Sequence, residues 1–115
     1  MDGLLCTESW VERVAVVAAS GDLDMLTAPQ LREAVQAVLV KAPVGLIVDL
    51  TSVEFLGSAG MQVLMETHNQ TDGTATRFAV VAEGSATSRP LKITGIADLI
   101  ELFSSLDVAL DNITA

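Results

Sequence analysis

The strongest signal along the chain is a series of apolar runs, each closed by glycine, proline or a short polar cluster. Residues 13–19 read Arg-Val-Ala-Val-Val-Ala-Ala, with Gly21 just beyond. A β-branched run so bounded predicts a buried strand. Residues 4–8 predict a short edge strand ahead of it, and the short link around Trp10 and Glu12 makes the pair a hairpin. Gly21-Asp22-Leu23-Asp24 reads as a polar loop. Thr27 then predicts a helix N-cap, with Pro29 in the first turn. Leu31, Val35, Val38, Leu39 and Ala42 form one apolar stripe at helical spacing, and Pro43 ends it.

Residues 44–50 are apolar up to Asp49, the pattern of a central strand covered on both faces. Residues 51–56 read as a connecting segment with Val53 and Phe55 inward. After Gly57-Ser58-Ala59-Gly60, a helix is predicted with Met61, Leu64, Met65 and His68 on its buried face, ending at Asp72-Gly73. Residues 77–82 predict a further strand. Ser88-Arg89-Pro90 opens a short helix that Gly95 closes, and residues 99–103 predict a last strand. Ser104 or Ser105 caps a terminal helix with Leu106, Leu110 and Ile113 on one face. The order ββαβαβαβα implies an α/β fold. Its sheet is mixed and mostly parallel, with an antiparallel N-terminal strand and about four flanking helices.

Composition narrows the picture. A chain of 115 residues is one domain, residues 1–115. It is 50% hydrophobic but only 3% aromatic, so Ala, Val, Leu and Ile must build the core. Two lysines and four arginines against 15 acids give a net charge of −9. That balance argues against nucleic acid and against an anionic membrane surface. No apolar run approaches the roughly 20 residues of a membrane span. Cys6 is the sole cysteine and His68 the sole histidine, so no internal disulfide and no Cys- or His-rich metal site is expected. Cys6 reads as a small strand hydrophobe. The N-terminus carries Asp2 and Glu8 without the basic start of a secretory signal, so a cytoplasmic protein is expected.

The one segment suited to chemistry is Gly57-Ser58-Ala59-Gly60. Ser58 there reads either as an ordinary helix N-cap or as a modification or anion site, since a helix N-terminus favours negative charge. Hydrolysis is a poor fit. The Gly-x-Ser-x-Gly elbow is absent, and His68 lies roughly 15 Å further along the same helix. Asp49 at a strand end resembles the acceptor of a response-regulator receiver, but no lysine follows the last strand. Asp22 and Asp24 read as solvated loop acids or as neighbours of Ser58. Met25 and Leu26 beside them are candidate apolar contacts for a partner.

These residues carry a family resemblance. Gly21-Asp22-Leu23-Asp24…Thr27-Ala28, then Val48-Asp49-Leu50-Thr51…Val53-Glu54-Phe55-Leu56-Gly57-Ser58-Ala59-Gly60-Met61, resemble the STAS domain, and within it the bacterial anti-sigma factor antagonists. The resemblance runs from about Val14 to Leu110. It implies a non-enzymatic switch without cofactor or bound metal. Such a protein binds an anti-sigma factor, a serine kinase of the GHKL ATPase type, and so releases a sigma factor. The kinase phosphorylates the motif serine and ends the interaction, and a metal-dependent phosphatase restores it. Ser58 takes the serine's position. Asp22, Asp24, Met25, Gly57, Ser58, Ala59, Gly60 and Met61 take the partner-binding positions. Gly57 stands where the family usually has Asp, and Ala59 where it often has Ser or Thr. A STAS-type module for a small anion or nucleotide, or a scaffold subunit, is the competing expectation.

Overall fold

A computed structural model describes residues 3–114; Asp2 lies outside them. The elements are β1 (Leu5–Val11), β2 (Val14–Leu23), α1 (Ala28–Leu39), β3 (Gly45–Leu56), α2 (Ser58–Thr71), β4 (Arg77–Val81), α3 (Ser88–Ile93), β5 (Glu101–Phe103) and α4 (Leu106–Thr114). A single 3₁₀ turn, Ile96–Asp98, precedes β5 and was not expected. The five strands lie side by side in chain order, β1 antiparallel to β2 and the rest parallel. Strands added always to the same side through right-handed crossovers put α1, α2 and α3 on one face. The main core accordingly joins Leu31, Val35 and Val38 of α1, Val63 and Leu64 of α2 and Leu91 of α3 to the sheet. Helix α4 alone covers the other face, over Val14, Val16, Ile47, Ala79 and Val81. No helix among the described residues is long and apolar enough to cross a membrane.

Several expectations shift. The Gly21-Asp22-Leu23 loop is the end of β2, and residues 51–56 continue β3. Asp49 therefore sits mid-strand, where its carboxylate binds the backbone N–H and hydroxyl of Thr51. It has no acceptor-like position at a strand end. Helix α1 stops at Leu39, and Ala42 is exposed beyond it with φ +51°, so it leaves the predicted stripe. Thr27 holds the N-cap position, but its hydroxyl donates back to the Asp22 carbonyl instead of capping the helix. The position before α3 is Thr87, not Ser88, whereas Ser105 does cap α4 by accepting the Val108 N–H. Gly95 closes α3 with φ +83°.

The buried face of α2 is rotated from the expected one. Gly60, Val63, Leu64, Thr67 and Thr71 point inward, while Met61, Met65 and His68 are half-exposed. Thr67 and Thr71 bury their methyl groups because each hydroxyl donates to the carbonyl four residues earlier. Cys6 is half-buried against the main core, and burial pushes its thiol pKa up.

Arg77 staples the lower edge of the sheet. Its guanidinium holds both Glu101 oxygens, at 2.6 and 2.8 Å, and the Asn112 carbonyl of α4. That cation holds the Glu101 carboxyl below its ordinary value, against a smaller opposing effect of burial. A carboxyl lowered by folding stabilises above its unfolded pKa and loses that contribution as pH falls through the folded one. Both partners are substantially exposed, so Arg77→Met is expected to lose up to about 1 kcal/mol near neutral pH. Urea midpoints should show the gap to wild type shrinking below about pH 4.

Candidate functional site

The C-terminal ends of β2 and β3 meet at one edge, where loops of a parallel sheet converge. Their register places Asp22 beside Phe55 and Leu23 beside Leu56. Two β-bulges precede this point, so β3 advances seven residues from Asp49 to Leu56 while β2 advances five from Ala18 to Leu23. Each extra residue shifts the inward phase. Leu50, Val53 and Leu56 are buried, and Phe55 is turned outward, 53% exposed, against the expectation.

The chain then turns sharply into α2. The Gly57 N–H donates to the Leu23 carbonyl at 2.8 Å, tying the helix start to the end of β2. Gly57 is the N-cap, with φ −91° and ψ 179°, an extended conformation open to any residue. Ser58 is the first helical residue, not the cap, and no side chain caps this helix. Its hydroxyl is exposed and holds no hydrogen bond to another described residue. The first amides of α2 also lie at an open end, where a phosphate meets N–H groups and the favourable end of the dipole.

The loop after β2 is built around Asp24. Its Oδ1 accepts the N–H groups of Leu26 and Thr27, and its own N–H donates to the Thr27 hydroxyl oxygen. Asp24 thus fixes the loop more than it presents a charge. The result is that Met25 and Leu26 stand out in solvent, at 78% and 83% exposure. Asp22 is exposed. Asp24, Met25, Phe55, Gly57, Ser58, Ala59 and Gln62 line a shallow groove of about 480 Å³.

Of the residues singled out in the sequence, Asp24, Met25, Gly57, Ser58 and Ala59 are brought together here, with Asp22 on the neighbouring strand. Met61 is half-buried one turn along α2, its sulfur 3.8 Å from the Thr94 hydroxyl, which donates to the Pro90 carbonyl. Gly60 is buried against Leu23 and Leu56 and serves packing, so it leaves the contact surface. Phe55 and Gln62 were missed. The bulges that expose Phe55 leave no mark in hydropathy, and Gln62 lies on the helix face that the misplaced stripe of α2 assigned to solvent.

A family model described as the STAS domain matches residues 10–109. The chain belongs to the STAS domain family. It is 38% identical over 112 residues to "Anti-sigma-F factor antagonist RsfB" of Mycobacterium tuberculosis, covering 97% of this chain and 91% of the relative. The crystal structure of an anti-sigma factor antagonist from Mycobacterium paratuberculosis matches with a TM-score of 0.92 and 38% identity, over 97% of this chain and 95% of that one. The Bacillus cell fate determinant SpoIIAA in its phosphorylated form shares the fold at a TM-score of 0.72 and 15% identity, over 95% of this chain and 99% of that one. In the STAS domain described here, the mixed five-stranded sheet with four helices and its antiparallel first strand are the expected architecture.

Proposed function

We propose that this STAS domain is an anti-sigma factor antagonist. It binds an anti-sigma factor of the GHKL ATPase type through the Ser58 face, releases the sigma factor, and is switched off by phosphorylation at Ser58. The observation that carries the reading is the exposed, unpartnered Ser58 hydroxyl at the start of α2, set in an apolar rim. The names of the mycobacterial relatives support the same role. The proposed transfer joins the Ser58 Oγ to the γ-phosphorus of ATP held by the partner. The bond to the β-phosphate oxygen breaks, ADP leaves, and the hydroxyl proton passes to a base of the partner. A metal-dependent serine phosphatase would reverse it by hydrolysis. The described residues of the groove include no cation, which counts against the alternative of a small-anion or nucleotide module. The domain's own role is binding, not catalysis.

Incubation with the purified anti-sigma factor of the same organism and Mg·ATP tests this. One phosphate should appear at Ser58 by mass spectrometry and none on Ser58→Ala. Phosphate elsewhere, or on neither protein, would overturn the assignment. The new group adds about −1.5 to −2 charges at an open helix N-terminus, so the fold should persist.

A further inference from the structure

We infer that Phe55 is the apolar anchor by which the partner grips the Ser58 face, and that the glycine at position 57 is what seats it. The inference rests on the proposed anti-sigma factor contact at Ser58 and names the residues that give it affinity.

Phe55 is one of only four aromatic residues in the chain. It lies at the rim of the Ser58 groove, more than half exposed. Its ring occupies the space that a side chain at position 57 would fill. A β-carbon on Gly57 would stand 3.0 Å from the Phe55 Cε2 and 3.4 Å from its Cζ. A side chain two residues on would therefore push the ring from its present place beside Ser58, by a few tenths of an ångström for a β-carbon alone and by more for a branched residue. The backbone at Gly57 does not itself demand glycine.

Charge points the same way. The chain carries −9, Asp22 is exposed beside Phe55, and the proposed partner brings an anionic nucleotide to Ser58. The described groove lining offers no cation to that nucleotide, so apolar surface is the attraction this face itself can supply. Phe55, Met25 and Leu26 supply it, and Asp24 holds the last two in place before any partner arrives. Large aromatic side chains at the centre of a contact are the usual carriers of affinity. A phosphate on Ser58 would set strongly hydrated charge against that anchor.

The test measures affinity of the full chain for the purified anti-sigma factor of the same organism, with ADP present. Four variants are compared: Phe55→Ala, Gly57→Val, the double variant and Ser58→Glu. Phe55→Ala should weaken binding at least about tenfold while melting like wild type, because the ring is outside the core. Gly57→Val should weaken binding by evicting the ring, and should add nothing in the Phe55→Ala background. NMR signals of the Phe55 ring should shift in the Gly57→Val variant relative to wild type. Wild-type affinity for Phe55→Ala, or additive losses in the double variant, would overturn the inference. If Ser58→Glu weakens binding and Phe55→Ala does not, the anchor alone is wrong. If neither does, or if wild type binds none of that organism's anti-sigma factors, the Ser58 interface itself falls and the anchor with it.

Discussion

Ser58→Glu is expected to lose at least about tenfold in affinity for the anti-sigma factor, while Ser58→Ala binds as wild type. The groups on the page set this direction. Ser58 is exposed, its groove is lined by Asp24, by apolar residues and by the amide Gln62, and Asp22 is exposed at the end of the adjoining strand β2. A carboxylate placed there meets like charge and loses water against Phe55 and Met25. Like charges brought together at an interface can cost several kcal/mol, and about 1.4 kcal/mol is already tenfold. Raised ionic strength should soften the loss, since the site faces solvent. Ser58→Ala removes the acceptor alone, so it should stay bound under Mg·ATP conditions that release the wild type. Stability supplies an internal control. A carboxylate in the first turn of a helix is favourable by about 0.3–1 kcal/mol. Ser58→Glu should therefore melt no lower than wild type even as it binds worse. Equal affinity for wild type, Ala and Glu variants would leave Ser58 as a solvated first-turn residue with no switching role.

Much of this architecture was legible in the sequence because the elements obey simple periods. The β-branched run of β2, the stripe of α1 and the apolar start of β3 each face one environment, so hydropathy alone locates them. The mostly parallel sheet and its antiparallel start follow from the order of elements and the short first link. Part of what was not legible has one physical cause, irregular backbone inside a regular strand. The two bulges in β3 lengthen the strand, move Asp49 away from its end and turn Phe55 outward. A strict alternation from Val53 would have buried Phe55. Helix α2 misled in a second way, because Thr67 and Thr71 occupy its inner face by bonding their hydroxyls to their own helix. A reading that ranks Met above Thr, and carries the stripe on to His68 by spacing, rotates the face. The serine itself was found through its motif, but its local role was not. Gly57 takes the cap, which leaves the Ser58 hydroxyl without an intramolecular partner.

Gly60→Val is expected to destabilise the fold by about 3 kcal/mol and to blunt phosphorylation at Ser58 well below the melting temperature. Glycine inside a helix costs about 1 kcal/mol against alanine, so its presence in the first turn of α2 needs a cause. The cause is close approach. A β-carbon at position 60 would lie 2.9 Å from Leu56 Cδ1 and 3.0 Å from Leu23 Cβ. Leu23 is fully buried and Leu56 nearly so, and the Gly57 N–H holds this end of the helix to the Leu23 carbonyl. The start of α2 cannot lift without breaking that bond, and the leucines have little room to yield. Alanine should be the milder change. Its methyl meets Leu56 and Leu23 but adds no carbon beyond the β-position, and its gain in helix propensity offsets part of the crowding. Valine adds two further carbons directed at the Leu23–Leu56 layer. At roughly 4 °C per kcal/mol for a domain of this size, Gly60→Val should melt about 12 °C lower and Gly60→Ala only slightly lower. Because Ser58 lies half a turn before Gly60, the tilt that accommodates valine also displaces the hydroxyl. The phosphorylation rate of Gly60→Val should therefore fall while its circular dichroism is still that of the folded protein. A Gly60→Val variant melting within a degree or two of wild type would mean that space exists between α2 and the ends of β2 and β3, and that the helix start is not fixed by this contact.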